Sequence, residues 1–455
     1  MIVLLLGSHI FLTFRTGFIQ RKLPQAIKMS LKKSGGEGDI SPFGALATAL
    51  AATIGTGSIV GVATAILAGG PGAVFWMWLT GVFGIATKYS EVYAAIKYRV
   101  KDHNGNMLGG AMYAWQRGFT KNGKTPWYAR LGAVCFALFA AIAAIGTGSA
   151  VQASAMTGIL TSSGLAIEPW IIGIVIVVLV AVVIFGGVKI ISQVCERLVP
   201  IMAIGYAVGC LAILVFNWAY LGDAIVMIVE CAFTAKAAFG GAVGSGIIVA
   251  LQFGCARGLF SNESGLGSSP LVASAAIAKN PAKQALISMT GTFWDTVIVC
   301  ALTALALMTS VLADPQIMNL YVNGGFSASA ELVTMAFNRI PVVGSFVLCI
   351  GLVLFAYSTS LGWSYYGNRC ITYLFGKHAI RPYQIVFLFV CFLGAIGVSG
   401  FVWNISDITN ALMAIPNLIA VLGLSALVAH ETKHYVWQNN LDEVDETPLP
   451  VEEAK

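Results

Sequence analysis

Two short runs rich in glycine and hydroxyl side chains carry the most distinctive chemistry of this chain. One run covers residues 53–58 (TIGTGS), and the other covers residues 257–270 (RGLFSNESGLGSSP). Glycine lets a backbone leave the helical conformation, and the N–H and C=O groups released in this way can face a ligand. Thr56, Gly57 and Ser58 can therefore offer N–H groups to an anion, while carbonyl and hydroxyl oxygens can bind a hard cation.

Other polar side chains lie within apolar stretches, where ionisable groups are rare and usually functional. Gln152 follows a Gly-Thr-Gly-Ser sequence, and it either contacts a ligand or forms an interhelical hydrogen bond. Asn262 and Glu263 could hold an ammonium group, but Glu263 could equally pair with Arg257 as a cytoplasmic gate. Asp295 must be paired, protonated or hydrated, and structural pairing is as compatible with the sequence as ion coupling.

Phe253 and Trp363 are candidates for the apolar wall of a ligand pocket. Trp363 follows Thr359 by about one helical turn, and a small pocket closed by its indole ring would exclude long side chains. A single aromatic residue in a membrane helix more often packs against a neighbouring helix, and this is the alternative for Phe253.

One further motif indicates a metal site only at first sight. His430 and His434 form an H-E-x-x-H sequence, which resembles the two-histidine zinc site of metalloproteases. The sequence offers no evident third ligand, and charged residues surround the motif. We therefore predict a charged helix end here and no zinc.

The composition indicates the environment of these residues. Of the 455 residues, 58% are apolar and only 10% are charged, and the mean hydropathy is +0.83. A soluble domain contains about 25% charged residues, so we predict an all-α integral membrane protein. The net charge of +6 comes mostly from loops, which argues against nucleic-acid binding. The nine cysteines are scattered singly, which predicts neither disulfides nor metal ligands.

Eleven hydrophobic segments follow one another along the chain. They cover residues 1–19, 42–68, 71–97, 129–161, 169–187, 197–218, 241–277, 284–312, 331–367, 383–401 and 405–430. The stretch 223–238 is short and flanked by charge, which predicts a surface or re-entrant helix instead of a span.

The basic residues predict the orientation of these segments. When the loops are counted alternately from the Lys- and Arg-rich loop after the first segment, nearly all Lys and Arg fall on one side, which should be cytoplasmic. The N-terminus is then periplasmic and the C-terminal tail cytoplasmic. The apolar stretch from Met1 to Phe14 is too short to span a bilayer alone. We therefore expect that the first half of that helix is missing from this chain.

The two glycine-rich runs interrupt the first and sixth of the ten helices that follow the first segment. Broken helices at these positions predict a five-plus-five inverted repeat, whose unwound segments meet at the middle of the membrane. The alternative is that the small residues only allow close helix packing. The predicted units are an extra N-terminal helix with a basic cytoplasmic loop (1–40), a first repeat (41–220), an extracellular surface or re-entrant helix (221–240), a second repeat (241–432) and a disordered cytoplasmic tail (433–455).

Five long motifs resemble those of the alanine or glycine:cation symporter family. They occupy residues 38–78, 257–270, 288–296 (SMTGTFWDT), 355–367 (FAYSTSLGWSYYG) and 403–419 (WNISDITNALMAIPNLI). The resemblance covers nearly the whole chain. It implies a leucine-transporter-type fold, a bacterial inner-membrane location, and sodium-driven uptake of alanine or glycine.

The same resemblance implies where sodium binds. It places the ion between the carbonyl groups of Ala51 and Ile54, the carbonyl group of Ala356 and the hydroxyl groups of Thr359 and Ser360. The chain departs from the family at one position of its first break, because the usual G-T-G-N sequence ends here in serine at position 58. This change puts ion affinity, substrate selectivity or coupling at that position in doubt.

The sequence therefore predicts a sodium:amino-acid symporter that is not an enzyme and needs no cofactor other than sodium as the coupling ion. A proton-coupled permease of the same fold is the nearest alternative, and Glu263 or Asp295 could carry its proton. A passive channel is a third reading, because glycine-rich breaks also occur in pores.

Overall fold

A computed structural model of the chain describes residues 2–32, 35–162, 167–234, 246–397 and 399–451. Helices form most of the described structure. Within these ranges the strands are β1 (Val100–Lys101) and β2 (Met107–Leu108), an antiparallel pair in which Val100 lies opposite Leu108. Part of the predicted segment 241–277, including its first glycines, falls outside the described residues.

The described helices number twenty-one. In chain order they are α1 (Ile2–Arg15), α2 (Leu23–Ser30), α3 (Pro42–Thr53), α4 (Val62–Gly69), α5 (Gly72–Lys97), α6 (Ala111–Gly118), α7 (Trp127–Ile145), α8 (Val151–Ser162), α9 (Pro169–Ile184), α10 (Gly187–Phe216), α11 (Leu221–Phe233), α12 (Ile247–Asn262), α13 (Ser269–Ala273), α14 (Pro281–Thr292), α15 (Ala301–Ala313), α16 (Pro315–Asn323), α17 (Ser329–Asn338), α18 (Gly344–Phe375), α19 (Ile380–Ala395), α20 (Ser399–Gly423) and α21 (Ser425–Thr432).

Short helical turns of other types connect several of these helices. The π-helical turns are Gly57–Gly61, Gly146–Ala150, Phe293–Cys300 and Lys433–Trp437, and the 3-10 turns are Ile19–Lys22, Trp218–Tyr220, Phe326–Ala328 and Lys377–Ala379. Three of the π-helical turns lie in the middle of long helical stretches, and such turns often mark functional sites.

Six described helical stretches are long and apolar enough to cross a membrane, and two bent pairs raise that number to eight. The bent pairs are Ile2–Arg15 with Ile19–Ser30, at 65°, and Pro42–Thr53 with Gly57–Gly69, at 54°. These stretches make the chain a multi-pass membrane protein. The count of eleven spans and the inverted repeat remain predictions.

The first glycine-rich run breaks a helix, as the sequence predicts. The helix α3 begins after Ser41, whose hydroxyl oxygen accepts a hydrogen bond from the Gly44 N–H at 2.8 Å. It ends at Thr53 because Ile54 adopts an extended conformation with φ −75° and ψ 94°. The chain resumes its path in the π-helical turn that begins at Gly57 and in α4.

The second run also breaks a helix. Glu263 ends α12 in the left-handed conformation with φ 56°, and Gly265 and Gly267 follow with φ of 102° and 76°. The chain then forms the short helix α13 and pairs with the segment that leads into α3. In that pairing, Ile277 N donates to Ile40 O at 2.9 Å.

Small residues let the helices approach closely around these breaks. A Cβ added to Gly254 of α12 would lie 2.4 Å from the carbonyl oxygen of Ala73 in α5. A Cβ on Gly258, one turn later, would lie 2.6 Å from Thr80 Oγ1. The helix α12 therefore packs on α5 through a glycine-lined surface, as is common in membranes.

The C-terminal segment, which the sequence predicts to be a disordered tail, contacts the folded bundle over its described residues. Residues 433–451 are described, and they lie along the end of the bundle that carries the basic loops. Asn280 Nδ2 donates to the carbonyl oxygens of Leu441 (3.0 Å) and Glu443 (2.8 Å), and Lys97 Nζ lies 3.0 Å from Asp445 Oδ2. Composition alone suggests disorder, but acidic side chains of the segment find basic partners on the folded bundle.

Candidate transport site

The first break lies against α18, where a hydroxyl group meets a carbonyl group of α3. Thr359 Oγ1 donates to Ala51 O at 3.0 Å, and Ser358 Oγ lies 3.4 Å from the same oxygen. A Cβ on Gly55 would lie 2.5 Å from Thr359 Oγ1, so glycine allows this close approach. The structure therefore brings together Ala51 and Thr359 from the predicted ion site and adds Ser358.

The remaining residues of the predicted ion site do not form hydrogen bonds to the Ala51 and Thr359 oxygens in the described structure. Ser360 Oγ donates to Ala356 O within its own helix at 3.1 Å. Ile54 follows the last residue of α3 in an extended conformation. Its carbonyl group therefore no longer points along the helix axis toward a helical N–H group.

A second group of residues links the first break to α8. Thr56 Oγ1 donates to Gln152 Oε1 at 3.3 Å, and Gln152 Nε2 donates to Thr147 O at 2.9 Å. Trp363 is almost fully buried. It lies beside this group, since a Cβ on Gly148 would be only 2.2 Å from Trp363 Cβ. The structure thus gathers Thr56, Gln152 and Trp363, which the sequence singles out separately.

Three residues around this group were missed by the sequence reasoning. The hydroxyl groups of Thr147 and Ser406 share a short hydrogen bond, and Asn410 Nδ2 donates to Thr147 Oγ1 at 3.0 Å. Asn410 Oδ1 is buried without a hydrogen-bond partner in the described structure, which leaves an acceptor for a ligand. The available signal was the second Gly-Thr-Gly-Ser sequence, which repeats the chemistry of the first break.

Asp295 is surrounded by hydroxyl groups from both breaks. Its carboxylate accepts hydrogen bonds from Ser58 Oγ at 2.5 Å, Ser261 Oγ at 2.7 Å and Thr296 Oγ1 at 2.7 Å. All four residues are fully buried. We call this group the carboxylate cage. Its four residues supply hard oxygen atoms, which suit a small cation or a proton. Ser261 and Thr296 were not predicted.

Ser58 therefore contributes to the cage with its side chain. Its hydroxyl also lies 3.0 Å from Ser261 Oγ, and its carbonyl oxygen accepts from Thr303 Oγ1 at 3.1 Å. The backbone N–H of Ser58 donates to Gly55 O at 3.2 Å within the unwound segment.

Arg257 does not pair with Glu263, in contrast to the predicted cytoplasmic gate. Arg257 Nη2 instead lies 3.5 Å from Asp407 Oδ2 of α20, and the guanidinium group stacks over the ring of Phe260. Glu263 is buried and accepts from Ser268 Oγ at 2.5 Å. The two residues separate because Glu263 lies beyond the end of α12, where the chain turns away from the helix.

Two further predicted residues have mainly local contacts. Asn262 Oδ1 accepts from Ser264 N at 2.8 Å and so supports the turn of the second break. Phe253 packs near Gly69 at the far end of α4, where a glycine Cβ would lie 2.9 Å from Phe253 Cβ. The aromatic ring beside the first break is Phe260, which would lie 2.9 Å from a Cβ on Gly57.

A second ion pair lies beside the start of α3. Arg369 Nη2 lies 3.9 Å from Asp39 Oδ2, which accepts from Met107 N at 2.9 Å. Burial raises the pKa of Asp39, and the Met107 N–H and the Arg369 charge oppose this effect. Ser41 Oγ donates to Glu196 Oε1 at 2.7 Å nearby. These contacts join the start of α3 to the elements around it.

The two H-E-x-x-H histidines lie in consecutive helical elements, His430 near the end of α21 and His434 in the π-helical turn Lys433–Trp437. His434 Nε2 lies 2.8 Å from Glu443 Oε2. In the described part of the chain, no group of three or more His, Cys, Asp or Glu side chains could hold a metal ion.

The sequence matches a known family over nearly its full length. The family model for the sodium:alanine symporter family matches residues 1–448. The chain is 47% identical over 440 residues to a sodium/alanine symporter of Methanococcus maripaludis, covering 96% of this chain and 94% of that protein. It is 34% identical to a probable sodium/glutamine symporter of Bacillus subtilis, covering 96% and 88%. It is 33% identical to a putative sodium/proton-dependent alanine carrier of the same organism, covering 95% and 89%.

The fold also matches a solved structure. The structure of MhsT in complex with L-phenylalanine superimposes with a TM-score of 0.61 over 89% of this chain and 95% of that chain. The two sequences are only 14% identical, so this similarity concerns the fold alone. It supports the predicted leucine-transporter-type architecture.

Proposed function

The chain belongs to the sodium:alanine symporter family, and we propose that it couples sodium entry to the uptake of alanine and glycine by alternating access. One observation carries the proposal. The Thr359 hydroxyl and the Ala51 carbonyl meet at 3.0 Å beside the unwound segment that also contacts Gln152. An ion between these oxygens would lie next to the backbone groups that a substrate needs.

Sodium would replace the hydrogen bond between Thr359 and Ala51. Both oxygens would then be turned toward the ion, together with the carbonyl groups of Ile54 and Ala356 and the hydroxyl group of Ser360. Unwound carbonyl groups and hydroxyl groups are the usual sodium ligands in broken-helix transporters. A bound ion would also stabilise the unwound conformation of the first break.

The amino acid would bind on the other side of the first break. Its carboxylate would accept hydrogen bonds from unwound N–H groups around Thr56 and Gly57. Its ammonium group would donate to Gln152 Oε1 and to Asn410 Oδ1, which has no other partner in the described structure. The close contact of Trp363 with Gly148 leaves little room there, which suits a small side chain.

Two ion pairs would act as the gates of this cycle. Arg257 with Asp407 would close the outer path, and Asp39 with Arg369 would close the inner path. Sodium and amino acid would favour closure of the outer path by occupying the site between the gates. Because coupling is reciprocal, the amino acid must tighten sodium binding by the same factor.

The protein would lie in the bacterial inner membrane with its N-terminus periplasmic and its C-terminal segment cytoplasmic. The Lys- and Arg-rich loops support this orientation because such loops remain in the cytoplasm.

Proton coupling is the second candidate, and the carboxylate cage is the observation that favours it. Asp295 could take up a proton in place of an ion, and one of its hydroxyl partners would then turn to accept a hydrogen bond from the new O–H group. Uptake driven by a pH gradient in sodium-free buffer would support this candidate.

The decisive experiment is uptake of labelled alanine into proteoliposomes under an inward sodium gradient, with potassium as the matched control. We expect sodium-driven accumulation in the wild type and its loss in Thr359→Ala. Thr372→Ala is the control variant, because Thr372 lies on the same helix and donates only to Asn368 O at 2.7 Å. Accumulation that survives in Thr359→Ala would move the ion site to Asp295. The absence of sodium-dependent uptake in the wild type would refute the proposed function.

A further inference from the structure

One face of α5 runs along the second break. A Cβ on Gly84 would lie 3.2 Å from Ser264 Cβ, and Glu91 Oε1 accepts from Gly265 N at 2.8 Å. Residues 84, 88 and 91 are spaced by four and three positions, so they share a helical face. Lys88 therefore lies between these two contacts and faces the second break.

Lys88 lies within a buried cluster of acidic side chains. Glu91, Glu263 and Asp295 all act electrostatically on Lys88, and all four residues are at most 2% exposed. The charge of Lys88 also acts on His9, which is hydrogen-bonded to Thr87 Oγ1 at 2.7 Å. One cation thus faces three carboxyl groups inside the bundle, where unbalanced charge is costly.

The hydrogen bonds of this cluster are incomplete. In the described structure, Lys88 Nζ is buried without a hydrogen-bond partner, and Glu91 Oε2 is buried without one as well. The other oxygen of Glu91 is held by Gly265 N and by Asn417 Nδ2 at 2.5 Å. An ammonium group has three donors on a flexible stem. Lys88 is therefore not bound to any one carboxylate, and its charge acts on all three acidic groups.

We propose that Lys88 is a tethered cation that balances the acidic groups of the second break when the transporter is empty, and so permits the empty transporter to return. This inference rests on the proposed function. Asp295 accepts hydrogen bonds from Ser58 and Ser261, one from each glycine-rich run, so its charge acts on the unwound segments beside the proposed ion and substrate sites. When sodium and the ammonium group of the substrate depart, Lys88 cannot depart with them because it is part of α5.

The consequence concerns net uptake, which differs from exchange in one step. Net uptake requires the return of the empty transporter, whereas exchange of external for internal alanine uses only the loaded forms. Without Lys88, the excess negative charge would retain sodium in the empty transporter. Net uptake should therefore fall while exchange persists.

The experiment measures both processes in proteoliposomes for the wild type, Lys88→Met, Lys88→Arg and Lys97→Met. Sodium-gradient accumulation of labelled alanine reports net uptake, and entry of label into vesicles loaded with alanine and sodium reports exchange. We expect Lys88→Met to lose net uptake by about tenfold or more and to retain exchange. Lys88→Arg should keep both. Lys97→Met is the matched control, because Lys97 lies on the same helix and pairs with Glu431 and Asp445 outside the cluster.

A double variant, Lys88→Met with Glu263→Gln, removes one charge of each sign. We expect it to regain part of the net uptake, which a purely structural role of Lys88 would not produce. Normal net uptake in Lys88→Met would overturn the proposal. Loss of both processes in Lys88→Met, with no recovery in the double variant, would also overturn it. Wild-type protein without sodium-driven uptake would instead refute the proposed function.

Discussion

Ser58 Oγ donates a hydrogen bond to Asp295 Oδ1 across 2.5 Å, and this contact joins the first helix break to the π-helical turn Phe293–Cys300. Ser261 of α12, just before the second break, donates to the other oxygen of the same carboxylate. The two breaks therefore share one buried acceptor. A change at either break can reach the other through Asp295.

Removing this shared hydrogen bond should weaken sodium coupling. A hydrogen bond to a charged group contributes about 1.5–3 kcal/mol, so Ser58→Ala should raise the sodium concentration for half-maximal uptake by about tenfold or more. Sodium titration of alanine uptake measures this change. Ser364→Ala is the control, because Ser364 Oγ donates only to Leu361 O in its own helix at 2.7 Å. An unchanged sodium dependence in Ser58→Ala would mean that the hydrogen bond from Ser58 to Asp295 does not affect sodium binding at the first break.

A methyl group at position 148 should narrow the substrate pocket. The added Cβ of Gly148→Ala would lie 2.2 Å from Trp363 Cβ, and overpacking of this kind costs about 1–3 kcal/mol. We expect Trp363 to shift toward the first break, so the KM for alanine should rise more than the KM for glycine. Gly158→Ala in α8 is the control, because a Cβ there would meet no heavy atom within 4 Å. Equal effects on both substrates would argue that Trp363 does not border the substrate side chain.

Reversing the charges of the outer pair should test its role as a gate. Arg257 and Asp407 are 3.5 Å apart, and the Asp407 side chain is 44% exposed, so their interaction should contribute at most about 1 kcal/mol. Arg257→Asp and Asp407→Arg should each raise the KM for alanine by several-fold, and the double variant should recover most of the loss. If the effects of the two single variants on the KM for alanine simply add in the double variant, the two side chains act independently.

Much of the fold was predictable because helices that cross a membrane must be long and apolar, and such runs are visible in the sequence. Long apolar runs mark the spans, and the glycines at positions 55 and 57 mark the first break. The contacts of the C-terminal segment were not predictable. They depend on Asn280 and Lys97, whose closeness to residues 441–445 appears only after the helices have packed.

The sequence predicted which residues belong to the site better than it predicted which side chains contact one another. The sequence identified Thr56 and Gln152 as polar residues within apolar stretches, and the family resemblance pointed to Thr359. One of its two alternatives for Glu263 was a pair with Arg257, which is close in the chain, whereas the left-handed turn at Glu263 separates the two residues. Pairings such as this depend on backbone conformation at one residue, which residue type alone does not determine.

The ion pair of Asp102 with Lys377 should stabilise the end of the bundle that carries the basic loops, at all pH values above about 4. The two charged atoms lie 2.7 Å apart. Burial raises the pKa of Asp102, but hydrogen bonds from Lys377, from the Asn106 side chain and from backbone N–H groups outweigh burial and lower it to about 2. Because the folded pKa is lower than the unfolded value of about 3.9, the stabilisation is complete above about pH 4 and is lost only as the pH falls through about 2.

We therefore expect Asp102→Asn to lower the melting temperature by about 1–3 °C, by the same amount at pH 5 and at pH 8. Thermal unfolding in detergent at both pH values measures this difference. Asp442→Asn is the matched control, since the Asp442 side chain is 88% exposed and should contribute little. A destabilisation by Asp102→Asn that appears at pH 8 and disappears at pH 5 would contradict the lowered pKa. It would mean that the Asp102 carboxylate is protonated well above pH 2.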